Sequence, residues 1–263
     1  INNPDFREHY FAWAQRVQRE CGLDAYQIDE VYFFNENYCG CEHCRRKFRE
    51  DTGFELPRNP DSPALFNDAS ALWRLFNLWR EVSLQRFRRD FLTAVRKENP
   101  AALLSNYTST YNAPSRHGGL WPTAFVSYAT GAEAMSRVPF ENYHEGIADM
   151  RLRTGLADTF EHATWVLWYP LTSSAARFCW GLSQATGQAQ WHLTPMAGAV
   201  RDLVTWPHKM RKFDFTTFAD VALIFSENSK NASSWTGYYH GMEAFGWLSA
   251  LADANLQCHT LHE

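Results

Sequence analysis

Two adjacent carboxylates, Asp29 and Glu30, interrupt an apolar run, and nine positions after Glu30 a group of three cysteines begins, Cys39, Cys41 and Cys44, within the stretch YQIDEVYFFNENYCGCEHC. The spacing Cys-x-Cys-x-x-Cys brings three thiolates within reach of one tetrahedral ion, and zinc is the default for sulfur ligands. Arg45, Arg46 and Lys47 beside the group favour the thiolate form. A closed structural site takes a fourth ligand, for which Cys21, His43 or a cysteine preceding Ile1 are the candidates. The expected role is structural Zn2+, not catalytic. A zinc hydrolase would need an open metal position and a base beside it, and an all-sulfur site is usually closed.

The carboxylates suggest different chemistry. Adjacent residues on a strand point to opposite faces, so one of Asp29 and Glu30 faces a cleft and the other makes a structural contact. Glycoside hydrolysis uses two carboxyl groups flanking the scissile bond, and burial at a strand end raises the pKa of a Glu into the range of a general acid. An ion pair with one of the chain's arginines explains the same residues equally well.

These groups need elements to hold them. Pro4 to Cys21 has the apolar spacing of an amphipathic helix stopped by Gly22, and Asp24 to Phe34 reads as a buried strand leading into the acids. Cys44 to Thr52 is a short helical piece ended by Gly53, and Pro57, Pro60 and Pro63 mark a loop. Asp68 or Ser70 caps a long helix over 69–99, and Ala101 to Asn106 is the next strand. Helix, strand, helix, strand predicts a parallel sheet with crossover helices. Further strands are predicted at Ala124 to Tyr128 and Gln188 to Leu193, and Thr164 to Tyr169 is either a strand or part of an aromatic wall. Helices are expected at 147–160 and 173–186, with a polar loop carrying Arg137, Glu141, His144 and Glu145 before the first. At Asp220 the texture changes to strand (VALIFS), loop, helix (242–254) and the start of another strand, the opening of a second α/β domain. The chain reads as a fragment of a longer protein.

Bulk properties narrow the partners. The chain has 263 residues, a net charge of −4 with acids and bases interspersed, and six cysteines. Nothing points to nucleic acid or an anionic membrane, and no apolar run approaches the ~20 residues that span a bilayer. The opening INNPDFREHY lacks signal-peptide features, and the clustered cysteines do not suit a secreted disulfide framework, so the expected location is cytoplasmic. Aromatic residues make up 16%, with 11 Trp, enough for both a large aromatic core and ring platforms against sugar C–H faces.

The segment IDEVYFFNENYCGCEHC resembles the acid/base region of family-42 beta-galactosidases and their relatives, including poorly characterised hydrolase-like cousins. DVALIFSENSKNASSW with YYHGMEAFGWLSALADANLQCHTL resembles the start of the glutamine-amidotransferase-like trimerisation domain that follows the barrel in that family. The resemblance brackets the chain and is weakest over 110–215. It implies an α/β fold: residues 1–217 as the C-terminal part of a (β/α)8 TIM barrel, and 218–263 as the start of a flavodoxin-like α/β domain. Glu30 then falls on the acid/base position and Cys39, Cys41 and Cys44 on three zinc-ligand positions.

Two departures stand out. The family has Asn before the acid/base, where this chain has Asp29. No Asp or Glu occurs between Glu161 and Asp202, where the family's strand-7 nucleophile is sought. The second carboxylate must come from Glu133, Glu141, Glu145 or Glu161, with Glu133 past a strand and Glu141 in an aromatic loop the two catalytic candidates. Asp29, Asn106, Tyr107 and Trp168 are the substrate-binding candidates. The resulting expectation is an O-glycoside hydrolase with a carbohydrate substrate, forming a homo-oligomer such as a trimer at full length. The alternative is a non-catalytic or repurposed carbohydrate-binding barrel with a structural zinc site.

Overall fold

The computed structural model describes residues 1–28, 33, 39–67, 69–107, 130–133, 143–159, 164–168, 172–192, 219–226, 229 and 238–263. The chain forms two compact units, 1–127 with 227–241, and 128–226 with 242–263.

In the first unit, α1 (Pro4–Cys21) starts at Asn3, whose side chain accepts from the Asp5 and Phe6 amides, with Pro at the first turn where no N–H is needed. It stops at Gly22, whose φ of 61° is left-handed and costs a glycine little. Strand β1 (Ala25–Ile28) follows, then α2 (Glu42–Thr52), α3 (Ala71–Arg96) and β2 (Leu103–Tyr107). Ser70 is the cap of α3, accepting from the Trp73 amide; Asp68, the other predicted cap, lies outside the described residues. β1 and β2 pair in parallel, Ile28 level with Asn106.

Two apolar clusters hold this unit. Ala14, Ile28, Phe91, Leu92, Val95, Ala102 and Leu104 join α1, both strands and the C-terminal half of α3. Phe33, Cys44, Phe48, Leu56, Leu65, Trp73, Phe76, Trp79 and Leu84 join α2 to the N-terminal half of α3. Each fully buried Leu or Phe contributes about 1.5–3 kcal/mol by leaving water. Trp73 and Trp79 thus serve the core, whereas Trp13 and Trp247 are exposed. Polar contacts tie α1 to α3 and the residues just after it: Arg7 pairs with Asp90, Arg19 with Glu98 at 2.7 Å, and the Gln15 amide donates to the Ala94 carbonyl at 3.0 Å.

The second unit contains β3 (Thr130–Glu133), α4 (Tyr143–Thr159), β4 (Thr164–Trp168), α5 (Ser173–Ala185) and β5 (Ala189–His192). Both β3–β4 and β4–β5 are parallel. The last elements are β6 (Val221–Phe225), α6 (Tyr238–Asp253) and β7 (Cys258–His262), with β6 parallel to β7. Every one of these ladders joins strands with a helix between them in sequence, the β–α–β pattern that parallel pairing requires. Met150 of α4 packs on Cys179 of α5, and the Gln188 amide donates to Thr154 Oγ1 at 2.7 Å.

Several boundaries differ from expectation. The predicted strand 124–128 lies outside the described residues, while Thr130–Glu133, a run with little β propensity (TGAE), is a strand; neighbour pairing, not local preference, decides it. His144 and Glu145, expected in a polar loop, belong to the first turn of α4. The region 164–169, open between strand and aromatic wall, carries strand β4. No helix among the described residues is long and apolar enough to cross a membrane.

Candidate metal centre and active site

The ligand atoms of Cys39, Cys41 and Cys44 all lie within 4.8 Å of one another, the one such group among the described residues. Local chain geometry gathers them. Cys41 is the N-cap of α2, its sulfur accepting from the Cys44 amide at 3.4 Å. One helical turn therefore sets Cys44 beside Cys41, and Cys39 Sγ lies 3.6 Å from Cys41 Sγ. Cys44 is buried in the apolar cluster with Phe48 and Trp73, Cys39 is half-buried and Cys41 is exposed.

The electrostatics suit a cation. The hydrogen bond with the Cys44 thiol holds the Cys39 thiol down to about 5, against the effect of burial. The same hydrogen bond, together with burial, pushes Cys44 up. Three sulfurs sharing protons this closely are a donor set that a soft divalent ion would complete by displacing those protons. The residues present thus fit a soft metal ion.

Of the candidate fourth ligands within the chain, neither Cys21 nor His43 is brought to the group. Asn2 donates to Cys44 Sγ at 3.5 Å, so the N-terminal end of α1 is beside the cluster. Cys21 closes the same 18-residue helix at its other end, about 27 Å away at 1.5 Å per residue. His43 lies next to the cluster in sequence but outside the group, and its Nδ1 is buried without a hydrogen bond among the described residues.

Identifiable contacts hold the scaffold behind the cysteines. Asp51, near the end of α2, accepts from Trp79 Nε1 at 2.9 Å, from Lys47 Nζ at 2.9 Å and from Arg86, which ties α2 to α3. Burial disfavours its charge, but these three partners outweigh burial and hold the carboxyl below the usual range. Phe33, between the carboxylate pair and the cysteines in sequence, is buried against Trp79 and lies 5.9 Å from the Arg80 guanidinium, which also faces the Trp73 and Phe76 rings. Sequence reasoning did not single out Asp51, Phe33 or Asn2, because nothing in their local patterns distinguishes them.

The carboxylate candidates fall differently. Asp29, Glu30 and Glu141 lie outside the described residues; β1 ends at Ile28, immediately before the acids. Asn106, expected as the last residue of a strand, and Tyr107, expected just after it, are the last two residues of β2. Glu133, expected a few residues past a strand, is the last residue of β3, and Trp168 is the last of β4. Register levels Glu133 with Leu167, and Trp168 with His192 at the end of β5. The described candidates of β2, β3 and β4 sit at the C-terminal strand ends, the edge where α/β sheets and barrels build their sites.

No protein-family model matches the chain, and no curated protein does. Solved structures match in fold. The beta-galactosidase from Rahnella sp. R3 superposes with a TM-score of 0.71 at 13% identity, covering 99% of this chain and 48% of that one. The beta-galactosidase from Halorubrum lacusprofundi gives 0.65 at 12%, covering 99% and 50%, and that from Marinomonas ef1 gives 0.63 at 11%, covering 99% and 53%. The chain spans about half the length of these proteins. At such identities the likeness is one of fold.

Proposed function

We propose that this chain, which has a beta-galactosidase-like fold, is the core of a glycoside hydrolase that cleaves O-glycosidic bonds with two carboxyl groups. The fold likeness carries the reading: three beta-galactosidases superpose over 99% of the chain. Residues 1–217 are then the C-terminal part of a (β/α)8 barrel, and 218–263 open a flavodoxin-like domain that assembles the full-length protein, as a trimer or another homo-oligomer.

In this reading Glu30, following β1, protonates the departing oxygen, and a Glu133 or Glu141 carboxylate acts as nucleophile or as base for water. Asp29, Asn106, Tyr107 and Trp168 contact the sugar. Zinc held by Cys39, Cys41 and Cys44 would fix the chain that follows the acid. It is a structural ion, and no chemical step passes through it.

A second reading, a carbohydrate-binding barrel without catalysis, draws on the absence of any acid between Glu161 and Asp202, which leaves β4 and β5 without a carboxylate. Assaying full-length protein and its Glu30→Gln variant on aryl glycosides decides between them. Activity that falls in the variant, most for poor leaving groups, supports hydrolysis. Sugar binding with no turnover of any glycoside in the panel supports the second reading.

A further inference from the structure

Asn2 occupies an unusual place for a residue before a helix. Its side-chain amide donates to Cys44 Sγ at 3.5 Å and to Ser83 Oγ at 3.2 Å, while the Ser83 hydroxyl lies 3.3 Å from Asn2 Oδ1. One amide proton is therefore directed at the sulfur. The other amide groups are tied to a hydroxyl that is itself buried on α3. Asn2 is followed directly by Asn3, the cap of α1, so its position is fixed from the helix side as well. Cys41 receives a comparable N–H···S bond from the Cys44 backbone. Cys44, inside an apolar cluster, receives its own from the Asn2 side chain.

We propose that Asn2 is a positioning residue for the metal centre: its amide, oriented by Ser83, donates to the Cys44 thiolate, holds that sulfur toward the ion and disperses its charge. The proposal rests on reading the three sulfurs as metal ligands and is independent of glycosidase activity. A metal-bound thiolate carries concentrated negative charge, and burying it among Phe48, Trp73 and Phe76 is costly unless a donor faces it. Donors behind metal ligands characteristically set both ligand orientation and affinity. Ser83 has the complementary task of presenting the amide in a single orientation.

The test is cobalt(II) titration of the full-length protein, followed by competition with zinc and a chromophoric chelator. Wild type is expected to take up cobalt with thiolate-to-metal charge-transfer bands. Asn2→Ala is expected to lose about 10–100-fold in affinity and to shift the charge-transfer band to lower energy, because a thiolate without its donor gives up an electron more readily. Asn2→Asp, which brings a carboxylate to the sulfur, is expected to lose more than Asn2→Ala, and Ser83→Ala less. Circular dichroism of each metal-free variant separates loss of the site from loss of the fold. If Asn2→Ala does not fold, the band position in Ser83→Ala decides, and an unshifted band there overturns the proposal. A folded Asn2→Ala with wild-type affinity and an unshifted band also overturns it. A wild-type protein that takes up no cobalt overturns the metal reading, and this proposal with it.

Discussion

Gly155 of α4 meets Thr260 of β7 so closely that a Cβ on the glycine would lie 2.6 Å from the Thr260 backbone nitrogen and 2.7 Å from its carbonyl oxygen. The two nearest atoms are backbone and the third is the Thr260 Cβ, so no flexible side-chain end can swing aside. Gly155→Ala is expected to destabilise by about 1–3 kcal/mol, the typical cost of overpacking, despite the better helix propensity of alanine. Gly181 in α5 and Gly246 in α6 have nothing among the described residues within 4 Å of the corresponding position. There alanine is expected to stabilise by about 0.5–1 kcal/mol. Thermal or urea unfolding of the three variants checks both signs, and a stabilised Gly155→Ala would contradict the contact.

The Asp51 carboxyl predicts a pH dependence. Its pKa is lowered in the folded chain by Trp79, Lys47 and Arg86, against burial. A depressed carboxylate contributes stability that is present above its unfolded pKa of about 3.9 and is lost as pH falls through the lower folded value. The gap in unfolding free energy between wild type and Asp51→Asn is therefore expected to be full near neutral pH and to close below about pH 4. Removing the acceptor altogether in Asp51→Ala is expected to cost about 1–3 kcal/mol at neutral pH. Urea titrations at several pH values would show the closing gap, and a constant gap would argue against the charge-based account.

Metal at the cysteines predicts a paired response. Ligand at a hundred times its Kd stabilises by about 2.7 kcal/mol, so a strong chelator is expected to lower the Tm of metal-loaded wild type. Cys44→Ser is expected to start from a lower Tm and to ignore the chelator. Metal analysis of both proteins completes the comparison.

For catalysis, Glu30→Gln is expected to slow hydrolysis of substrates with poor leaving groups by about 10²–10⁴-fold and to affect activated aryl leaving groups less. If the second carboxylate is a nucleophile, its replacement by alanine abolishes turnover and added azide restores it. Comparing Glu133→Ala with Glu141→Ala then assigns the role, and two fully active variants would exclude both residues.

Boundaries that depend on local physics were legible from local signals. α1 ends at Gly22 and α2 at Gly53, both left-handed, and α3 begins at the predicted Ser70. The cysteine spacing gathered three sulfurs because one helix cap and one helical turn suffice to do it. Parallel pairing followed from the alternation of strands and helices.

Relations across long sequence separations were decided only by the tertiary structure. The fourth-ligand candidate Cys21 fails because its helix points away from the cluster at that end, a direction no spacing encodes. Asn2, Ser83 and Cys44 meet across 81 and 42 positions of sequence. TGAE becomes a strand through its pairing with Thr164–Leu167, which supplies the backbone hydrogen bonds its own residues do not favour. The reason is general to these cases: caps, turns and short metal loops are fixed by forces acting within a few residues, whereas a donor's partner or a weak strand's neighbour exists only once the chain has folded.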